Sequence, residues 1–183
     1  MPNETDPKAL RALAHPLRWK LIDVLGSEGS ATATRCAQLL GESVPSCAYH
    51  LGILAKYGYI EEVPGREGRE KPWRLTRDEQ RLSSSGDNLA GQLAAEAAMD
   101  VFLDHELARI KSRARSGSAE PPGWQPFVEG TTNWLSQAEF EAVIQQVKSL
   151  VEQHRERFTD LSSRPEGARE IRLFFTASAK PEV

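Results

Sequence analysis

Between Pro7 and Tyr57 the apolar residues recur at spacings of three and four, the pattern of short amphipathic helices. Asp6 and Pro7 supply an N-cap and a first helical residue, and Leu10, Leu13 and Ala14 give the first helix its apolar side. The residue before a proline avoids the helical region, so His15-Pro16 ends that helix. Pro16 opens a second helix carrying Leu17, Leu21, Ile22 and Leu25, and Gly26 and Gly29 stop it. A third helix spans Thr32 to Leu40 and ends at Gly41. Ser43 caps a fourth, which has Pro45 in its first turn and runs to Tyr57 before Gly58.

The period then changes. Tyr59–Val63 is short and β-prone, Pro64-Gly65 turns the chain, and Lys71–Thr76 returns as a partner strand beyond the charged loop Arg66–Glu70. Pro72 has no N–H to give a ladder, which suits an edge strand. After Ser83-Ser84-Ser85-Gly86 a helical pattern extends to Arg115, with Leu89, Leu93, Ala97, Val101, Leu107 and Ile110 at apolar positions. The stretch 115–126, with its Gly, Ser and Pro residues, reads as a linker. Ser136 and Glu139 form a capping box for a second long helix, along which Phe140, Val143, Val147, Leu150, His154, Phe158 and Leu161 make one stripe. Arg164–Gly167 turns the chain into a final strand, Glu170–Thr176, where Ile171, Leu173 and Phe175 alternate with Arg172, Phe174 and Thr176. The expected fold class is mainly α with a small β-hairpin: a winged helix-turn-helix, long C-terminal dimerisation helices and one late strand. The expected domains are residues 1–78 and 79–183.

Charge changes this picture less than its total suggests. The 183 residues carry a formal net charge of -3, which on its face argues against a nucleic-acid binder. The first 77 residues, however, hold 11 Lys and Arg against 9 Asp and Glu, and the remainder hold 12 against 17. Where charges lie matters more than their total. No apolar run approaches the ~20 residues of a membrane helix. Met1–Lys8 is polar and lacks a signal-peptide core, so a cytoplasmic location is expected, with no membrane partner. Two cysteines, Cys36 and Cys47, are too few for a disulfide framework or, alone, for a four-ligand zinc site.

The fourth helix carries the candidate chemistry. Cys47, Ala48, Leu51, Leu54 and Ala55 are expected on a packing side, and Ser46, Tyr49, His50, Ile53 and Lys56 on the other. A hydroxyl, a phenol, an imidazole and an ammonium reach base edges and phosphates when a helix lies in a major groove. The same pattern also describes an ordinary amphipathic helix with a solvated face. Arg66, Arg69, Lys71 and Arg74 crowd the hairpin, as phosphate or minor-groove contact requires, though Glu67 and Glu70 equally suit a merely soluble hairpin.

Asp6–Thr76 resembles the winged helix-turn-helix of ArsR/SmtB-type transcriptional regulators. The resemblance rests on Leu10–Arg18 (LRALAHPLR), Tyr49–Leu54 (YHLGIL), Gly58-Tyr59-Ile60 and the wing ending in Trp73-Arg74-Leu75. It implies a fourth helix that reads an operator, a flanking wing and a homodimer on two-fold symmetric double-stranded DNA. The implied DNA-binding residues are Ser43, Ser46, Tyr49, His50, Lys56, Arg66, Arg69 and Lys71. The sequence departs from the family's metal sensors. Ala31-Thr32-Ala33-Thr34 stands where those members carry C-x-C, and Asp104 and His105 are adjacent with no H-x-x-E beside them. No metal and no cofactor is therefore expected, and both cysteines read as small buried residues, a thiol switch being the minority reading.

The C-terminal half has no strong motif. Its stripes are expected to pack on each other and on a second subunit. Trp124, Phe127 and Trp134 either plug the end of the helix pair or line an apolar pocket for a small-molecule effector. There is no G-x-S-x-G, phosphate-binding glycine loop or H-E-x-x-H, and no enzyme is expected. The expected function is a sequence-specific DNA-binding regulator, a repressor by family analogy. The alternative is a winged-helix protein-interaction module that does not touch an operator.

Overall fold

The computed structural model describes residues 6–64, 71–76, 88–116 and 120–179. It is mainly helical with one small antiparallel sheet. Four helices come first: α1 (Pro7–Leu13), α2 (Pro16–Glu28), α3 (Ala33–Leu40) and α4 (Val44–Lys56). Strands β1 (Ile60–Glu62) and β2 (Trp73–Leu75) follow, then α5 (Leu89–Ser116), α6 (Gln137–Glu152), α7 (Glu156–Thr159) and a 3-10 turn at Leu161–Ser163. The chain divides into compact units at 119/120. The expected boundary at 78/79 lies outside the described residues.

Local chemistry sets the helix ends. The Asp6 carboxylate accepts from the Lys8 N–H at 2.9 Å, Thr32 caps α3, and the Ser43 hydroxyl accepts from the Ser46 N–H at 3.2 Å. His15 caps α2 with its ring, Nδ1 accepting from the Leu17 N–H at 3.1 Å. Gly41 ends α3 in the left-handed region at φ 67°, which is open to glycine without a Cβ clash and turns the chain directly into α4.

The first unit has one main core. Trp19, Leu21, Leu25, Cys36, Cys47, Leu51, Leu54 and Ile60 are buried in it, and Val101 and Phe102 of α5 pack against it. Side-chain bonds lock its layers: the Trp19 Nε1–H donates to the Leu13 carbonyl at 2.8 Å, and the Tyr59 hydroxyl to the Ala9 carbonyl at 2.9 Å. The hairpin pairs Ile60 with Leu75, Glu61 with Arg74 and Glu62 with Trp73. Ala31, just before α3, adds a bridge on the far side of Trp73, with N···O distances of 3.0 and 2.9 Å. That side of β2 is therefore partly covered where the sequence suggested an edge.

Helix α5 belongs with this unit. Asn88 caps it, and Gly91, Ala94, Ala95 and Ala98 are buried, with Ala94 and Ala95 clustered on Leu10 of α1. Side chains this small let two helices approach closely. Val101, expected on a dimer stripe, packs within its own chain.

The second unit is open. No residue of α6 is buried, although Ser136 and Glu139 complete the expected capping box. Phe140, Ile144, Val147 and Val151 are half-buried, whereas Val143 and Leu150 of the expected stripe face solvent. The expected single helix is interrupted after Glu152, where the His154 and Arg155 N–H groups bond back three residues instead of four. His154 is exposed there, not aligned with a continuous stripe. No strand forms over 170–176: alternation alone makes none without a ladder partner, and Ile171, Leu173 and Phe175 are exposed.

Candidate nucleic-acid interface

Helix α4 buries Cys47, His50, Leu51 and Leu54, an i, i+3, i+4, i+7 set. Its outward face carries Val44, Pro45, Ala48, Tyr49, Gly52 and Lys56. Two readings of this helix are corrected. His50 is not on the solvent side: at ~100° per residue it lies about 60° from Cys47, inside the apolar arc. Ala48, expected to pack, is exposed. Ser46 and Ile53 are half-buried at the margin.

The outward face is flat at its centre, because Ala48 and Gly52 project almost nothing and a Cβ at Gly52 would meet open space. Tyr49, 64% exposed, and Lys56 line one side of it, seven residues apart. The Lys56 ammonium sits 5.6 Å above the Tyr57 ring. Ser43 is exposed at the N-terminal end, and its oxygen is engaged by the Ser46 N–H.

Beneath that face lies a three-residue cluster. The Arg18 Nε–H donates to His50 Nδ1 at 3.2 Å, and its Nη1 donates to the carbonyls of Ala12 at 2.6 Å and Arg11 at 3.3 Å. The His15 and His50 rings lie 4.3 Å apart, and Tyr49 meets His50 edge-on at 5.1 Å. Both imidazoles are held below the ordinary histidine range, first by burial and then by neighbouring positive charge. Burial also lowers Arg18, against the opposing influence of Tyr49 and Tyr57.

On the hairpin, Lys71 pairs with Glu62 at 2.7 Å and Arg74 with Glu61 at 2.7 Å, all four side chains exposed. Such pairs contribute roughly 0–1 kcal/mol, so a phosphate can compete for the cations. Arg66 and Arg69 lie outside the described residues.

The remaining candidates are not brought together. Phe127 and Trp134 are 83% and 91% exposed, on a segment without helix or strand. Trp124 instead lies under the Arg169 guanidinium at 5.2 Å, and Arg169 pairs with Glu120 at 3.1 Å. Cys36 and Cys47 are both buried, and burial pushes the Cys36 thiol up to about 11 and raises that of Cys47. Among the described residues no three His, Cys, Asp or Glu side chains gather as a metal site. Also among the described residues, no helix is long and apolar enough to cross a membrane.

No protein-family model matches the chain, and no curated protein matches it.

Proposed function

We propose that residues 7–76 form a winged helix-turn-helix that reads double-stranded DNA through α4, and that the chain is a transcriptional regulator working as a homodimer on a two-fold symmetric operator. The observation that carries this reading is the outward face of α4, small at Ala48 and Gly52 and bordered along one side by Tyr49 and Lys56. A helix with its side chains is ~10–12 Å across, and the major groove is ~12 Å wide, so a face without bulk at its centre favours deep entry. The left-handed turn at Gly41 joins α3 to this helix, as a helix-turn-helix requires. Binding beside the promoter would occlude it, and repression is the direction the resemblance implies.

The Glu61–Arg74 and Glu62–Lys71 pairs favour a second reading, a protein-interaction module, because they neutralise the strands of the hairpin. Genome-wide capture of bound fragments, followed by a shift assay across a salt series, separates the two. A DNA reader loses log affinity linearly in log salt, with a slope near -0.9 per phosphate neutralised. Capture that enriches no fragment over input would overturn the DNA reading.

A further inference from the structure

We propose that His15, Arg18 and His50 form a proton-sensitive latch that positions α4, and that protonation of the adjacent, tilted imidazole pair releases it. The geometry fixes what each ring must be. His15 Nδ1 accepts from the Leu17 N–H, and His50 Nδ1 accepts from the Arg18 Nε–H. Each ring therefore keeps Nδ1 unprotonated and carries its proton on Nε2 when neutral. A proton added to His50 at Nδ1 turns its acceptor into a donor aimed at a guanidinium. A proton added to His15 does the same against an N-terminal N–H of α2, where the helix dipole already disfavours a cation.

Arg18 is the hinge of the arrangement. One guanidinium ties the last carbonyls of α1 to the middle of α4. The partner it loses on protonation is the ring that Tyr49 leans on. Among the described residues, few ionisable groups act on the pair. Arg18 comes from α2, Tyr49 from α4 itself, Tyr57 from the end of α4, and Glu42 from the turn between α3 and α4. Glu42 is the one whose charge favours protonation of both rings. It is exposed, so solvent screens it.

Burial and like charge hold both imidazoles low, which agrees with this geometry. The sign follows. Because the folded values lie below the unfolded one, the latch is fully closed above about 6.5 and is lost as pH falls through the lowered folded values. The latch does not depend on what α4 contacts; only its effect on DNA rests on the reading above. For DNA, releasing α4 weakens sequence-specific binding, while the added positive charge leaves non-specific binding undiminished.

The test is a pH titration of the intact chain by NMR, from about pH 8 downward, following histidine ring nitrogens and backbone amides. The expected starting state has Nδ1 of both rings unprotonated. The Tyr49 and Lys56 amides then shift with the midpoint of His50, below about 6.5. In His50→Gln, whose amide oxygen can accept from Arg18 but cannot titrate in this range, those shifts vanish. Specific DNA affinity should fall roughly tenfold more in the wild type than in His50→Gln over the same range, the equivalent of one pKa unit of coupling. A protonated Nδ1 on either ring at the start overturns the latch without needing a variant. So do α4 shifts that persist in a folded His50→Gln chain. A titrating latch in a chain that binds no DNA at any pH sinks the DNA reading alone. Specific DNA binding without coupled α4 shifts sinks the latch alone.

Discussion

Asp23 of α2 holds two side chains of α5 with one oxygen: Oδ2 lies 2.7 Å from His105 Nε2 and 2.7 Å from Arg109 Nη1. The His105 ring stacks on Trp19 at 6.4 Å, so the ion pair is seated against the core. Burial pushes the Asp23 carboxyl up, but the bonds from His105 and Arg109 outweigh it and hold the group below its ordinary value. This contact makes α5 part of the first unit in energetic terms as well as in packing.

Asp23→Asn should therefore lower the stability of the first unit by roughly 1–3 kcal/mol, the range for losing a charge-assisted hydrogen bond. A depressed carboxyl contributes stability that is present above the unfolded value near 3.9 and lost as pH falls through the folded one. Urea unfolding near neutral pH and again near pH 3 reads both effects. The difference between wild type and variant should shrink in acid, and equal differences at both pH values would detach the carboxyl from this role.

Tyr49→Ala and Lys56→Ala should separate on DNA. If α4 reads DNA as proposed, Tyr49 meets base edges, and its loss should cost roughly 1–3 kcal/mol and relax the preferred sequence. On the same reading Lys56 meets phosphate, and its loss should weaken all sequences alike and flatten the salt slope by about one unit. Circular dichroism should report an unchanged fold for both, since each residue is exposed. A folded double variant with wild-type operator affinity would take α4 out of the reader role.

The thiols give an independent check on the core. With the Cys36 thiol near 11, its thiolate is a very small fraction at pH 8, and both sulfurs are out of reach of solvent. Iodoacetamide should leave both cysteines unmodified in the native chain for hours and label both once urea unfolds it, as intact-mass spectrometry would report. Rapid labelling of the native chain at Cys36 or Cys47 would mean that α3 and α4 do not pack as described.

What the sequence revealed and what it concealed divide by range. Caps and stops were legible at Asp6, Gly41, Ser43 and the Ser136–Glu139 box, because each acts within four residues. The Ala31 bridge to Trp73 and the Tyr59 bond to Ala9 join residues far apart in the chain, and no local pattern announces them. The cap at His15 is not legible in the same way, since side-chain caps are normally Ser, Thr, Asp or Asn. At His50 the polar chemistry outweighed the angle, and the angle was right. Of the candidate interface, Tyr49 and Lys56 were legible as exposed, while the Arg18 partnership beneath them was not. Over 170–176 the alternation was real, but a strand is a property of two segments.

The proposed homodimer can be tested on α5 with two charges that should behave oppositely. Val101 packs against the core of the first unit, while Leu107, 45% exposed, shares an outward line of α5 with Leu89 and Leu93. Val101→Glu forces a carboxylate onto apolar neighbours and should destabilise the unit by about 2 kcal/mol or more. Leu107→Glu should leave stability within roughly 0.5 kcal/mol, because it adds charge to a surface already carrying Glu96, Asp100 and Asp104. If that outward line joins two copies, Leu107→Glu adds repulsion at an interface already acidic, gives monomers and removes specific DNA binding from a folded chain. Sedimentation of the wild type at tens of micromolar comes first. A monomer there, or a Leu107→Glu dimer as tight as wild type, rules out this line of α5 as a constitutive dimer contact.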